Sequence, residues 1–232
     1  MSKPDTFLAG TSWWYRALYR LGWAVVVPPF VLYTRRTIGG AEHLPADGPF
    51  ILAPNHRSYL DTPFAASVRW KRMFYMGKDT MWKIRWFGKL ISALGAYPVT
   101  RGTADREALK RSIELLQRGE AVVMFPEGER KAGPVVQPLF EGVVFVASKT
   151  GAPIVPVGIG GSERVMPKGS KLIYPRKVHV EIGPAIMPPV AEPGTRVSRE
   201  AYQATTQHLH DELQRLFDLA MTKVGWSYPI DD

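Results

Sequence analysis

Phe50-Ile51-Leu52-Ala53-Pro54-Asn55-His56-Arg57-Ser58-Tyr59-Leu60-Asp61-Thr62-Pro63 contains a strand, a turn and the opening of a helix. The apolar run Phe50-Ile51-Leu52 reads as a buried strand. Asp61 followed by Thr62-Pro63 is a helix start, because proline is pre-set for the first helical turn and lacks the N–H that would go unpaired there. His56 therefore lies where a strand ends, the usual place for reactive side chains in an α/β sheet. Asp61, five residues on, can fold its carboxylate back onto the imidazole. Such a pair suits a general base, with the imidazole taking a hydroxyl proton and the carboxylate orienting the ring and stabilising its cation. No covalent nucleophile is then required of the protein. Chance alone gives about 0.2 His-x4-Asp pairs in a chain with five His and nine Asp, so the spacing needs company.

That company lies downstream. Arg72-Met73-Phe74-Tyr75-Met76 reads as a second strand, and Gly95 to Gly102 carries a short strand that delivers Arg101 at its end. Thr103 or Asp105 caps an amphipathic helix with Ala108, Ile113, Leu115 and Leu116 on its apolar side, which Gly119 stops. Ala121-Val122-Val123-Met124-Phe125 is continuously apolar, as in a buried parallel sheet, and runs into Pro126-Glu127-Gly128-Glu129-Arg130-Lys131. Arg101 and Arg130 are thus expected at two neighbouring strand ends. A helix over 139–149, a buried strand over 154–159, a half-exposed final strand over 178–183 and a helix from Ser198 to about 223 complete the pattern. Gly158 to Gly161 lacks a dinucleotide fingerprint and reads as a turn. Strands alternating with helices predict one α/β domain, a mostly parallel mixed sheet flanked by helices, over 37–232.

The 232 residues suffice for a full core, and the net charge of +9 favours anionic partners such as nucleic acid, acidic headgroups or phosphorylated substrates. The absence of Cys removes disulfides, thiol nucleophiles and Cys-ligated zinc, and fits a reducing compartment. Residues 1–36 stand apart. Trp13, Trp14, Tyr15, Tyr19 and Trp23 are interleaved with Arg16 and Arg20, and an almost wholly apolar run to Tyr33 follows. That run, interrupted by Pro28-Pro29, is too short to span a bilayer but has the composition of a segment lying in the membrane interface. A terminal helix packed on the core is the other reading. The basic and aromatic stretch 70–89 offers a second membrane-facing patch or a solvated basic face.

Taken together, the motifs resemble the glycerolipid acyltransferases. Asn55 to Asp61 is similar to the family's NHxxxxD motif, Phe125 to Arg130 to its FPEGTR block, Gly95 to Arg101 to the Arg-ending block between them, and Val155-Pro156-Val157 to its fourth block. The four occur in the family's order and cover about residues 37–185. The resemblance implies His56 as general base, Asp61 as its support, and Arg101, Glu127, Gly128 and Arg130 as acceptor-binding residues. It implies no metal and no cofactor beyond acyl-CoA or acyl carrier protein as co-substrate. The implied reaction moves an acyl chain to lysophosphatidic acid, at the cytoplasmic face of the cell membrane, by a peripheral or monotopic enzyme contacting anionic lipids rather than nucleic acid.

Elementary chemistry agrees with those roles: guanidinium groups fork onto phosphate, and a glycine lets backbone approach a ligand. Glu127 also fits a structural carboxylate that fixes an arginine. Two positions depart from the family pattern. Glu129 replaces a usual Thr, and Phe140-Glu141-Gly142 lacks the common basic residue before its glycine. Both lower the local positive field and leave another glycerolipid or glycolipid acceptor open. A non-catalytic basic protein that binds nucleic acid or anionic membranes is the reading from a different class.

Overall fold

The computed structural model describes residues 13–100, 105–167, 169–191 and 194–226. Among them, seven strands form one sheet: β1 (Thr37–Gly39), β2 (Ile51–Pro54), β3 (Met73–Lys78), β4 (Ala96–Val99), β5 (Ala121–Val123), β6 (Ile154–Gly160) and β7 (His179–Ile182). Their order is β1-β7-β6-β2-β5-β3-β4, and all pairings are parallel except β6 with β7. The chain leaves β2 over β5 to reach β3, and leaves β5 over β2 to reach β6. Connections departing in opposite directions open a crevice at the carboxyl ends of β2 and β5, the topological switch point where open α/β sheets place their ligands. Leu52 is in register with Val123, so His56 and Glu127 stand equally far beyond that pair.

Both faces of the sheet are covered, which is why the central strands are apolar without alternation. Ile51, Ala53, Val122 and Met124 pack with residues of α4 (Arg106–Gln117), α5 (Gly142–Thr150) and α7 (Arg199–Val224). Phe50, Leu52, Ala121 and Val123 face the opposite cluster, which includes Phe64 of α2 (Asp61–Ala66) and Phe30 of α1 (Trp13–Tyr33). Asp105 caps α4 as expected, accepting from the backbone N–H of Ala108 at 3.2 Å. Burial raises the hydroxyl of Tyr97 above the usual tyrosine range, and its oxygen lies 2.9 Å from Ser112 Oγ on α4.

Helix α1 lies along the sheet and touches α3 (Arg85–Ala93). Arg16 meets Glu120 beside the start of β5, the Trp23 indole N–H donates to Ala66 O, and the Phe30 ring stands 4.7 Å from that of Phe64. Only Tyr19 and Val27 are buried in it, whereas Trp13, Trp14, Leu21, Val25, Val26 and Leu32 are exposed. Among the described residues no helix is long and apolar enough to cross a membrane.

Three expectations are corrected. β7 is not a half-exposed margin, because β1 pairs with its outer edge and buries His179, Val180 and Ile182. β4 and β5 are not neighbours, since β3 lies between them; the strand ends that precede Arg101 and Arg130 are thus two spacings, about 10 Å, apart. Gly158 and Gly160 belong to β6 rather than to a turn, and only Gly161 turns the chain, at φ 84°.

The two strand glycines are there for contact. A Cβ on Gly158 would come within 2.3 Å of the backbone of Leu216, and one on Gly160 within 2.6 Å of that of Ala220, both on α7. A methyl group cannot be absorbed against backbone as it can against a flexible side chain. Gly158→Ala and Gly160→Ala should each destabilise the fold by about 1–3 kcal/mol or more. Urea unfolding measures this, and an unchanged midpoint in both would mean that α7 rides clear of β6.

Candidate active site

The turn after β2 is sewn to both neighbouring strands. On one side, the side-chain amide of Asn55 behaves like a strand residue: Oδ1 accepts from Ile159 N at 2.6 Å and Nδ2 donates to Ile159 O at 3.3 Å. On the other side, the His56 N–H donates to Glu127 Oε1 at 2.8 Å, and the His56 carbonyl accepts from Lys131 N at 2.8 Å. The β2 turn therefore cannot shift without breaking bonds to β6 and to the loop after β5.

Within this frame His56 Nδ1 donates to Asp61 Oδ2 at 2.9 Å. The same oxygen accepts from Arg57 N at 2.6 Å and Ser58 N at 2.7 Å. Two backbone donors on a fully buried carboxylate, at the first residue of α2, hold it in place. His56 is 5% exposed, and its ring stacks on Phe125 with ring centroids 4.1 Å apart. With Nδ1–H committed to the carboxylate, Nε2 carries the lone pair that can accept a proton.

Glu127 is fully buried, and both oxygens are engaged. Arg57 Nη1 donates to Oε1 at 2.8 Å and to Oε2 at 2.9 Å, and Gln137 N reaches Oε2 at 3.1 Å. Arg57 Nε and Nη2 donate to the carbonyls of Gly133 and Val135, Nη1 also reaches the His56 carbonyl, and the guanidinium lies over the Phe217 ring. Every polar group of this pair is thereby satisfied inside the protein, which a buried ion pair needs.

Arg130 is half-buried, with its guanidinium 3.4 Å from the Tyr59 ring centroid. Among the described residues its donors make no hydrogen bond and no ion pair, so they are available to an anion at the mouth of the turn. Gly128 adopts φ 71°, and the place a Cβ would take is filled by the Phe140 ring at 2.6 Å. The negative charge of Glu129 is met by Lys131 at 2.8 Å. Arg101 lies outside the described residues. The structure thus brings together His56, Asp61, Glu127, Gly128 and Arg130. It adds Asn55 and Arg57, whose partners Ile159 and Glu127 are more than 60 residues away in sequence and cannot be identified locally.

An acyltransferase family model matches residues 35–160, more than half of the chain. The chain belongs to the 1-acyl-sn-glycerol-3-phosphate acyltransferase family. A member from Bacillus subtilis is 30% identical over 176 residues, which is 75% of this chain and 84% of that one. The chloroplastic BAT2 enzyme of Brassica napus is 33% identical over 153 residues, 64% of this chain; the chain spans 43% of that longer relative. The crystal structure of the 1-acyl-sn-glycerophosphate acyltransferase PlsC from Thermotoga maritima superposes with a TM-score of 0.65 at 24% identity, covering 87% of this chain and 79% of that one. It carries the same fold.

The buried pair generates a test. Glu127→Gln leaves the Arg57 charge uncompensated in an apolar setting, and should cost about 3–5 kcal/mol of stability. Replacing both, as Arg57→Met with Glu127→Leu, should recover part of that loss because no buried charge is then orphaned. Chemical unfolding of the two variants decides it. A single variant as stable as the parent would mean that the pair is solvated.

Proposed function

We propose that the chain is a membrane-associated 1-acylglycerol-3-phosphate O-acyltransferase. The observation that carries the reading is the His56–Asp61 pair at the switch point, its tautomer held by an oxygen that two backbone N–H groups also grip. His56 Nε2 removes the proton from the free glycerol hydroxyl of lysophosphatidic acid. The hydroxyl oxygen attacks the carbonyl carbon of an acyl thioester, on coenzyme A or acyl carrier protein, and a tetrahedral oxyanion forms. Its collapse breaks the C–S bond. The thiolate takes the proton back from the imidazolium, and phosphatidic acid leaves with the free thiol. Asp61 stabilises the imidazolium between the two transfers.

Arg130, whose donors are uncommitted among the described residues, supplies a guanidinium for the acceptor phosphate, and Arg101 supplies a second. Glu127 and Gly128 serve the acceptor site through shape, the first by locking Arg57 and the His56 backbone and the second through its turn. Residues 1–36 attach the enzyme peripherally to the cytoplasmic face of the membrane, with the acyltransferase domain over 37–232. The exposed aromatic and aliphatic face of α1 supports this, as does its continuity with the 70–89 patch, where the Arg20 guanidinium lies 4.9 Å from the Trp70 ring. Anionic lipid is the partner this implies.

His56→Ala should lower kcat by about 10²–10⁴ in a folded protein. Asp61→Asn should be similarly damaging, since it keeps the shape but not the charge. Acyl transfer measured beside thermal unfolding tests both, and near-normal turnover by folded His56→Ala would end the mechanism. The acceptor is tested separately. Arg101→Ala and Arg130→Ala should each lose about 10- to 150-fold in kcat/KM, the equivalent of ~1.5–3 kcal/mol for a charge-assisted bond. Lys should restore only part. The loss should be far smaller with monoacylglycerol, which has the hydroxyl and no phosphate; equal losses on both acceptors would mean that these arginines hold the fold or the acyl donor, and would remove the main physical support for lysophosphatidic acid.

A further inference from the structure

Beyond β6, on the side away from β5, a second basic feature lies outside the His56 site. A cavity of about 260 Å3 is lined by Arg35, Arg164, Arg176 and Lys177, with Gly161 and Trp226 among the remaining walls. Arg164 comes from the short helix α6 (Ser162–Val165) after β6, Lys177 from the approach to β7, and Arg35 from the approach to β1. Gly160 is in register with His179, and Thr37 with the same residue, so the cavity lies at the end of the sheet that carries His56. None of the four cations is ion-paired among the described residues, and no lining residue is acidic. Arg164 rests over the Trp226 indole at 5.1 Å, and Arg35 Nη2 donates to Pro175 O at 3.0 Å. Arg35 has φ 46°, the sole positive value among described non-glycine residues, and there an L side chain is crowded by its own carbonyl. The chain bends at that residue, between α1 and β1.

Four cations with no acid among them, in a concave site, favour a multiply charged anion, and guanidinium groups fit phosphate oxygens. The rim indicates where that phosphate comes from. Leu32 and Tyr33 at the end of α1, and Leu172, Ile173 and Tyr174 of the facing loop, are all exposed. The two segments are joined by the bond from Tyr33 Oη to Ile173 O at 2.9 Å, and the loop is tied to α6 by Tyr174 N to Val165 O at 2.8 Å. Exposed apolar side chains beside a cationic cavity form a surface that inserts into the interface and reads headgroups. The volume is below the roughly 300–1,000 Å3 of sites for larger organic ligands, and suits a phosphate with a few attached atoms better than a nucleotide. We infer that this cavity binds the phosphate-bearing headgroup of an anionic membrane lipid that is neither acceptor nor donor, and so turns the His56 end of the sheet toward the bilayer. The inference rests on the peripheral attachment proposed above.

The test uses the full chain and vesicles of phosphatidylcholine alone or mixed with phosphatidylglycerol. Binding to the neutral vesicles reports α1, and the added affinity for the mixed ones reports the cavity. The triple variant R164Q/R176Q/K177Q should lose about 100-fold on mixed vesicles, at roughly fivefold per basic side chain, and little on neutral ones. A control that removes as much charge elsewhere, R106Q/K110Q/K149Q, should lose less than about fivefold. The single variant R176Q, at an exposed position, should lose about fivefold and guards against misfolding of the triple. Equal losses in triple and control would mean diffuse attraction and overturn the site. A raised KM for acyl-CoA in detergent micelles with vesicle binding intact would assign the cavity to the donor and overturn the lipid reading. A parent chain that binds both vesicle types equally would do the same. Loss of all vesicle binding on removing residues 1–36, with the triple variant still indistinguishable from the parent, would leave attachment standing and remove the cavity from it. Turnover of lysophosphatidic acid in micelles is scored separately, so failure of the acyl-transfer reading is seen independently.

Discussion

The buried ion pair between Arg57 and Glu127 is the constraint on which the site geometry rests. Two charges taken from water are tolerable only when each lone pair and N–H finds a partner. That demand recruits the carbonyls of Gly133 and Val135, the N–H of Gln137 and the backbone of His56. Satisfying the pair thus fixes the loop after β5 and the turn after β2 in one arrangement. His56 occupies its place as a result, with Asp61 refining the ring's orientation. The pair's contribution is to geometry more than to net stability.

Fold class was legible because the central strands are continuously apolar and lead through a turn into a helix, as at 50–63 and 121–150. Asp105 and Ser198 were legible as caps, because capping depends on one residue and its nearest backbone. Strand order was not legible. The three-residue strand β1 pairs with β7 across some 140 residues, and nothing local at either segment announces the other. For the same reason the separation of β4 from β5 escaped the sequence, which shows that strands end in basic residues but not which strands are adjacent.

In the site, the His56–Asp61 pair could be read because five residues of turn bring it together. The role of Asn55, whose amide continues the sheet toward β6, could not, since its partner Ile159 is 104 residues away. Arg57 carried half a signal. A charged residue immediately after a buried strand needs a counter-charge, but only the fold identifies Glu127. The charge of Glu129, which lowers the local positive field, is answered in the structure by Lys131, and the ring of Phe140 fills the space Gly128 leaves.

The contact of α7 with β6 has a mechanical side. Where Gly158 and Gly160 meet the helix there is no layer of side chains to act as a compressible buffer. Ile159, between them, is the residue that the Asn55 amide grips. Helix, strand and turn are therefore coupled in series through stiff contacts. Displacement of the C-terminal helix along its axis would be transmitted to the backbone one residue from His56 with little damping.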